Sequence, residues 1–104
     1  MPTAYVTAPP DAASEIARTV VEERLAACVN RVECASTYRW DGEVTEDEEV
    51  ILLCKTTEAR YASLEARVVD LHPYEVPCVE RFAEDAVFGP FAEWRAGAVE
   101  SGPE

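Results

Sequence analysis

Two residues, Asp41-Gly42, constrain this chain more than any others. An Asp-Gly pair supplies the positive φ values that a two-residue hairpin turn needs. Period-two patterning runs away from it in both directions. Before the turn, Cys28, Val32, Cys34, Tyr38 and Trp40 share one face, while Arg31, Glu33, Thr37 and Arg39 share the other. After it, Glu43 to Thr56 reads as the returning strand, with Val50-Ile51-Leu52-Leu53-Cys54 as its buried part. A two-residue turn pairs Trp40 with Glu43. That register sets Cys28 across from Lys55 and Val29 across from Cys54, so Cys28 and Cys54 point to opposite faces unless a bulge intervenes. Each arm is then about 13 residues long, beyond the usual strand.

The flanking segments complete a pattern. Thr3-Ala4-Tyr5-Val6-Thr7-Ala8 is a short strand ended by Pro9-Pro10. Asp11 then serves as a helix N-cap, and Ala13, Ile16, Ala17, Val20, Val21 and Leu25 follow helical spacing to about Ala27. Thr57 can cap a second helix with Tyr61, Leu64, Val68 and Leu71 as its stripe, and Pro73 stops it. Cys78 to Ala83 reads as the last strand. Phe88, Phe91 and Trp94 suggest a short amphipathic C-terminal helix, and Ser101-Gly102-Pro103-Glu104 a frayed tail. The order is β-α-β-β-α-β plus a helix. This is an α+β, ferredoxin-like sandwich with a long hairpin, in one domain over residues 1–104. Helices cover one face of such a sheet, yet Val50 to Cys54 is apolar at both parities, as in a strand buried on both sides. Partner copies packed on the second face resolve the conflict, so the sequence predicts a tight homo-oligomer.

Composition narrows the partners. Twenty-one acidic residues face nine basic ones, a net charge of −12, and Lys55 is the sole lysine. Such a surface argues against nucleic acid and anionic membranes; it suits cytoplasm at high salt, with an acidic functional patch as the competing reading. No apolar run is long enough to span a bilayer, and Met1 to Pro10 lacks the pattern of a signal peptide, so the expected place is the cytoplasm. None of Cys28, Cys34, Cys54 and Cys78 forms a C-x-x-C pair, which predicts free thiols rather than structural zinc.

Most of the candidate chemistry falls in His72-Pro73-Tyr74-Glu75-Val76-Pro77. Two prolines make a stiff loop that presents His72, Tyr74 and Glu75; the competing reading is a helix stop followed by a strand start. Imidazole and thiolate suit copper and zinc, which makes His72, Glu75 and Cys78 metal candidates. The alternative for His72 is an imidazole at a helix end, favoured by the dipole. Cys28 and Cys34 lie six strand residues apart, roughly 20 Å, and cannot share an ion within one chain. The cysteines therefore make no cluster within a chain, and a metal site is either weak or lies between subunits. The single histidine lacks a partnered nucleophile, so catalysis is not expected. Gly42, Gly89, Gly97 and Gly102 are scattered, which excludes a phosphate-binding glycine loop and leaves no organic cofactor evident.

Five motifs occur in order: Thr7-Ala8-Pro9; Leu25-Ala26-Ala27-Cys28-Val29-Asn30; Ser36-Thr37-Tyr38-Arg39-Trp40-Asp41-Gly42; Lys55-Thr56-Thr57; and the His72 to Pro77 loop. Together they resemble the CutA family of divalent-cation tolerance proteins, over about Thr3 to Trp94. The resemblance implies a ferredoxin-like subunit in a compact homotrimer, with hairpin strands joined across subunits. It also implies a link to copper and other divalent ions, and an architecture like the PII nitrogen-signalling trimers. Departures are specific. Copper-binding members can carry a cysteine where this chain has Val6 and a second histidine where it has Leu71. Most members carry glutamate where it has Cys78, and Cys78 is a candidate replacement ligand beside His72. Two functional classes follow. One is a metal-binding or metal-tolerance protein using His72 and Cys78. The other is a PII-like signalling or scaffold trimer whose inter-subunit cleft binds a small ligand, lined by Tyr38, Trp40, Lys55, Tyr74 and Glu75.

Overall fold

A computed structural model describes residues 1–100; the tail from Ser101 to Glu104 lies outside the described residues. The elements are β1 (Pro2–Ala8), α1 (Pro10–Glu22), β2 (Cys28–Trp40), β3 (Glu43–Lys55), α2 (Glu58–Leu71), β4 (Cys78–Ala83) and α3 (Gly89–Ala98). The strands form one antiparallel sheet in the order β2-β3-β1-β4. The hairpin takes the register expected of its turn: Trp40 pairs with Glu43, Cys28 with Lys55 and Val29 with Cys54. Asp41 and Gly42 have φ of 53° and 82°, the left-handed pair that a primed two-residue turn requires.

One face of the sheet carries the core. Ala4, Val6 and Ala8 of β1 and Val50, Leu52 and Cys54 of β3 pack against Ile16 and Val20 of α1 and Leu64 and Val68 of α2, and all of them are buried. Burying each large aliphatic side chain is worth about 1.5–3 kcal/mol. The opposite parity, with Tyr5, Ile51, Leu53, Val32 and Phe82, has no helix over it, and Val32 and Phe82 remain about half exposed. Tyr5 and Phe82, neighbours across β1 and β4, place their rings 5.5 Å apart on this side.

The hairpin also outruns the sheet. β1 pairs with β3 only from Val50 to Lys55, so Glu43 to Glu49 bonds to β2 alone. Seven residues at about 3.3 Å each make an arm of roughly 23 Å. Isolated two-stranded ribbons are marginal in water.

Three expectations need correction. Helix α1 starts at Pro10 rather than behind an Asp11 cap: Pro9 is the N-cap residue, Pro10 occupies the first turn, where a missing N–H costs nothing, and Asp11 supplies first-turn charge. It also ends at Glu22, short of Ala27. Arg24 turns left-handed (φ 60°), the amides of Leu25 and Ala26 both bond the Val20 carbonyl, and Leu25 and Ala26 still enter the core. Their burial mimicked helical spacing. Finally, α3 is not anchored by an apolar stripe, because Phe88, Phe91 and Trp94 stay exposed at 77%, 36% and 51%. Its anchor is Arg95, 1% exposed, which donates to the Thr56 carbonyl (2.7 Å), the Pro2 carbonyl and the Glu84 carboxylate.

Candidate functional site

The loop after α2 is positioned by its histidine. His72 is the C-cap residue of α2, and its ring is buried. Nε2 donates to the Thr7 carbonyl of β1 (2.8 Å), and Nδ1 accepts the Tyr74 amide (3.2 Å). The two bonds fix the tautomer and tie the loop to the sheet. They also use both ring nitrogens, which leaves no free lone pair for a metal as the chain is folded. The Tyr74 ring lies 4.8 Å from the imidazole, and its hydroxyl donates to Glu49 Oε2 (3.1 Å). The loop thus leans on the base of the hairpin arm.

Between loop and arm lies a cleft of about 550 Å³. Its sheet wall is Thr7, Ser36, Tyr38, Trp40, Glu49 and Cys78; its loop wall is Tyr74, Glu75 and Val76. The strand pairings put the sheet-wall residues on one side: Thr7 faces Cys78 across β1 and β4, Cys34 faces Glu49, and Tyr38 and Trp40 follow at the same parity. This is the open face of the sheet.

The wall is negative. Tyr38 donates to Asp47, which with burial and nearby carboxylates pushes the Tyr38 hydroxyl above its ordinary range. Burial, the hydrogen bond to Glu49 and its charge push Tyr74 up to about 12. Burial, with the Glu80 and Glu49 charges, raises the Cys78 thiol against an opposing bond from Thr7, so Cys78 is held as a thiol rather than a thiolate.

Of the residues proposed for a ligand cleft, four come together: Tyr38, Trp40, Tyr74 and Glu75. Lys55 does not join them. It is the last residue of β3, opposite Thr3 and Cys28, at the far end of the strand from Glu49. Cys78 lines the cleft and His72 sits behind it, bonded to Thr7. Among the described residues, no three His, Cys, Asp or Glu side chains converge to hold a metal ion, so a single chain does not offer a fitted site. Sequence reasoning missed Glu49, which hid in the acidic run Glu46-Asp47-Glu48-Glu49. Parity was the available signal: Glu49 falls opposite Cys34 on the face of Tyr38.

The chain matches the family model described as CutA1 divalent ion tolerance protein over residues 3–98. It is 56% identical over 68 residues to the divalent-cation tolerance protein CutA of Thermus thermophilus, covering 64% of this chain and 66% of that one. It thus spans just under two thirds of that relative's length. The CutA protein of Pyrococcus horikoshii is 37% identical over 91 residues, 86% of this chain and 89% of that one. Among solved structures, a PII-like protein CutA from Nostoc sp. PCC 7120 in apo form superposes with a TM-score of 0.92 at 34% identity, covering 96% of this chain and 98% of that one.

Proposed function

The chain belongs to the CutA1 divalent ion tolerance family, and from that premise we propose that it works as a homotrimer that engages divalent cations, copper among them, where neighbouring copies meet. One observation carries the reading: the apolar second face of the sheet and the overhanging hairpin arm both lack cover within one chain. Exposed apolar area of this kind marks an interaction surface. The metal is assigned to the junction because His72 is committed to Thr7 and Tyr74 and no donor cluster forms inside the subunit. Cys78, on the open face, is the soft donor a copper ion would meet there, with Glu75 at the cleft mouth as a carboxylate. We read the protein as binding rather than catalytic. Free thiols at all four cysteines suit a reducing cytoplasm, and the acidic, lysine-poor surface suits one rich in salt.

The test is direct. Light scattering on the eluting protein is expected to give three times the subunit mass. Calorimetric titration with copper is expected to lose affinity in Cys78→Ser and to be little changed in His72→Gln wherever that variant stays folded. A monomer at micromolar concentration, or copper binding indifferent to Cys78, defeats the corresponding half of the proposal. A second reading is favoured by a separate observation, the aromatic cleft of Tyr38, Trp40 and Tyr74: a PII-like trimer that senses a small ligand there.

A further inference from the structure

The geometry points to an organic cation, an ammonium or guanidinium on a flat apolar body, as the ligand of the cleft between the Tyr74 loop and the hairpin arm. The inference rests on the second reading above and gives its ligand a chemical class. The central observation is Glu49. It keeps only 5% of its exposure, yet its side chain has one partner among the described residues, the Tyr74 hydroxyl. Within one chain, no arginine or lysine among the described residues forms an ion pair with it. A buried carboxylate without a compensating cation is costly, and proteins rarely keep one idle. The buried Arg95 makes the contrast, for its carboxylate partner Glu84 lies 2.5 Å away.

The surroundings of Glu49 select the same ligand. It borders the cleft, and none of the nine residues lining that cleft is basic. Glu75 adds a second carboxylate at the rim. An anion, a nucleotide included, would meet two negative charges and no counter-charge. Tyr38, Trp40 and Tyr74 stand around the cavity, and aromatic faces attract ammonium and guanidinium groups, Trp best of all. Trp40 is half exposed in the lone chain, on the arm that the proposed trimer brings against a neighbouring copy, so the ring borders the cleft where subunits meet. The charge of Glu49 is felt at the Tyr5, Tyr38 and Tyr74 hydroxyls and at the Cys78 thiol, each of which it pushes toward its neutral form. The cleft is therefore one patch of unbalanced negative potential with apolar walls, of a size that holds a small molecule. The same cation could also come from a neighbouring copy, as an arginine side chain; we assign a free ligand, and the experiment separates the two sources.

The probe is 2-phenylethylammonium, titrated calorimetrically into the intact protein at low salt, with neutral 2-phenylethanol and adenosine monophosphate as controls. The expected result is one ammonium per subunit, at least about tenfold tighter than the alcohol, weakened by added KCl and with no nucleotide binding. Glu49→Gln keeps size and the bond to Tyr74 and is expected to lose about tenfold in affinity. Trp40→Leu, at an exposed position, should weaken the complex severalfold and remove its fluorescence response. Equal affinity for ammonium and alcohol, or an unchanged Glu49→Gln, overturns the proposal. So does a wild type that ignores the probe while Glu49→Gln loosens the oligomer, for then a neighbour's arginine holds the site. A trimer that binds copper but no amine defeats this inference alone; a wild type that binds neither amine nor nucleotide in the cleft defeats the sensing reading with it.

Discussion

The two faces of the sheet are built from the same strands and meet opposite fates. On β3, Leu52 is fully buried under the helices while Leu53, one residue on, lies on the side that no helix covers. On β1, Val6 is fully buried and Tyr5 is only partly so. On β1 and β3 large apolar residues occur at both parities, so hydrophobicity at a single position does not decide which side is closed. The difference is in what the chain itself supplies. Helices α1 and α2 close one face with their own stripes, whereas the open face carries both the grease and the chemistry: three of the four cysteines, the aromatic wall and the buried carboxylate. A surface that is apolar but left open is the part of the molecule designed to meet something else.

The sharpest way to break this contrast is a pair of truncations. Leu52→Ala leaves a cavity in a closed core and is expected to cost about 2–5 kcal/mol in urea denaturation, with the oligomer mass unchanged. Leu53→Ala removes the same atoms from the open face. Within one subunit it is expected to cost below about 1 kcal/mol, and its larger effect should appear as a concentration-dependent loss of assembly. If the two variants cost the same and neither changes the mass, the open face is not an interface.

The cysteines sharpen the same comparison. Burial pushes the Cys54 thiol, on the covered face, up to about 12, and the nearby Cys28 adds to it. Cys28, Cys34 and Cys78 fall on the open face and are only partly buried. With an aromatic disulfide reagent, the buried Cys54 is expected to react far more slowly than the partly exposed Cys28 or Cys34, since the thiolate is the reactive species and burial disfavours it. Protection of the open-face thiols that disappears on dilution would map the interface residue by residue.

How much of this was legible depended on how local its cause was. The hairpin register follows from two residues, Asp41 and Gly42, and came out to the residue, including the opposite faces of Cys28 and Cys54. The end of α1 did not, because Leu25 and Ala26 are buried by a turn rather than by a helix, and apolar spacing cannot separate the two. The cleft was half legible. Tyr38, Trp40, Tyr74 and Glu75 announce themselves by aromaticity and by the proline frame, whereas Lys55 drew attention only as the sole lysine and sits at the far end of β3. The engagement of both His72 nitrogens could not be read at all, since it depends on the Thr7 carbonyl, 65 residues away in sequence.

Neither face explains α3, which is held by Arg95 at the end of the sheet and by the bond from Arg60 of α2 to the carbonyl of its C-cap residue, Val99. Arg95 is buried and its partner Glu84 keeps 27% of its side-chain exposure, so the pair is only partly desolvated. Arg95→Met is expected to cost about 2 kcal/mol, below the figure for a fully buried pair, chiefly by stranding Glu84 and two carbonyls. Burial raises the Glu84 pKa, but the bond and charge of Arg95, helped by Thr3, outweigh it and hold the carboxyl below its ordinary value of 4.5. A depressed carboxyl stabilises the fold above its unfolded value and loses that contribution as pH falls through the folded one. Thermal melts should therefore weaken on acidification below about pH 4.5, and Glu84→Gln should flatten that part of the profile. An unchanged acid limb in Glu84→Gln would remove α3 from the account of acid stability.

The smallest effect tests the hinge between the open face and the loop. Tyr74 is neutral when it donates to Glu49, and burial together with that bond and the Glu49 charge pushes its hydroxyl up from 10.0 to about 12. A raised folded pKa means the stabilisation is fully present below pH 10 and is lost as pH rises toward 12. Tyr74→Phe removes one hydrogen bond to a carboxylate and leaves the ring on His72, so its cost at neutral pH should be about 1–2 kcal/mol at most. The alkaline limb is more telling than the neutral value. Wild-type stability should fall between pH 10 and 12 by an increment that the phenylalanine variant lacks, and the ultraviolet titration of the variant should be short of one late-ionising tyrosine. If all tyrosines ionise together in both proteins, the loop does not lean on Glu49 in solution, and the cleft is open on the side where the organic cation is assigned.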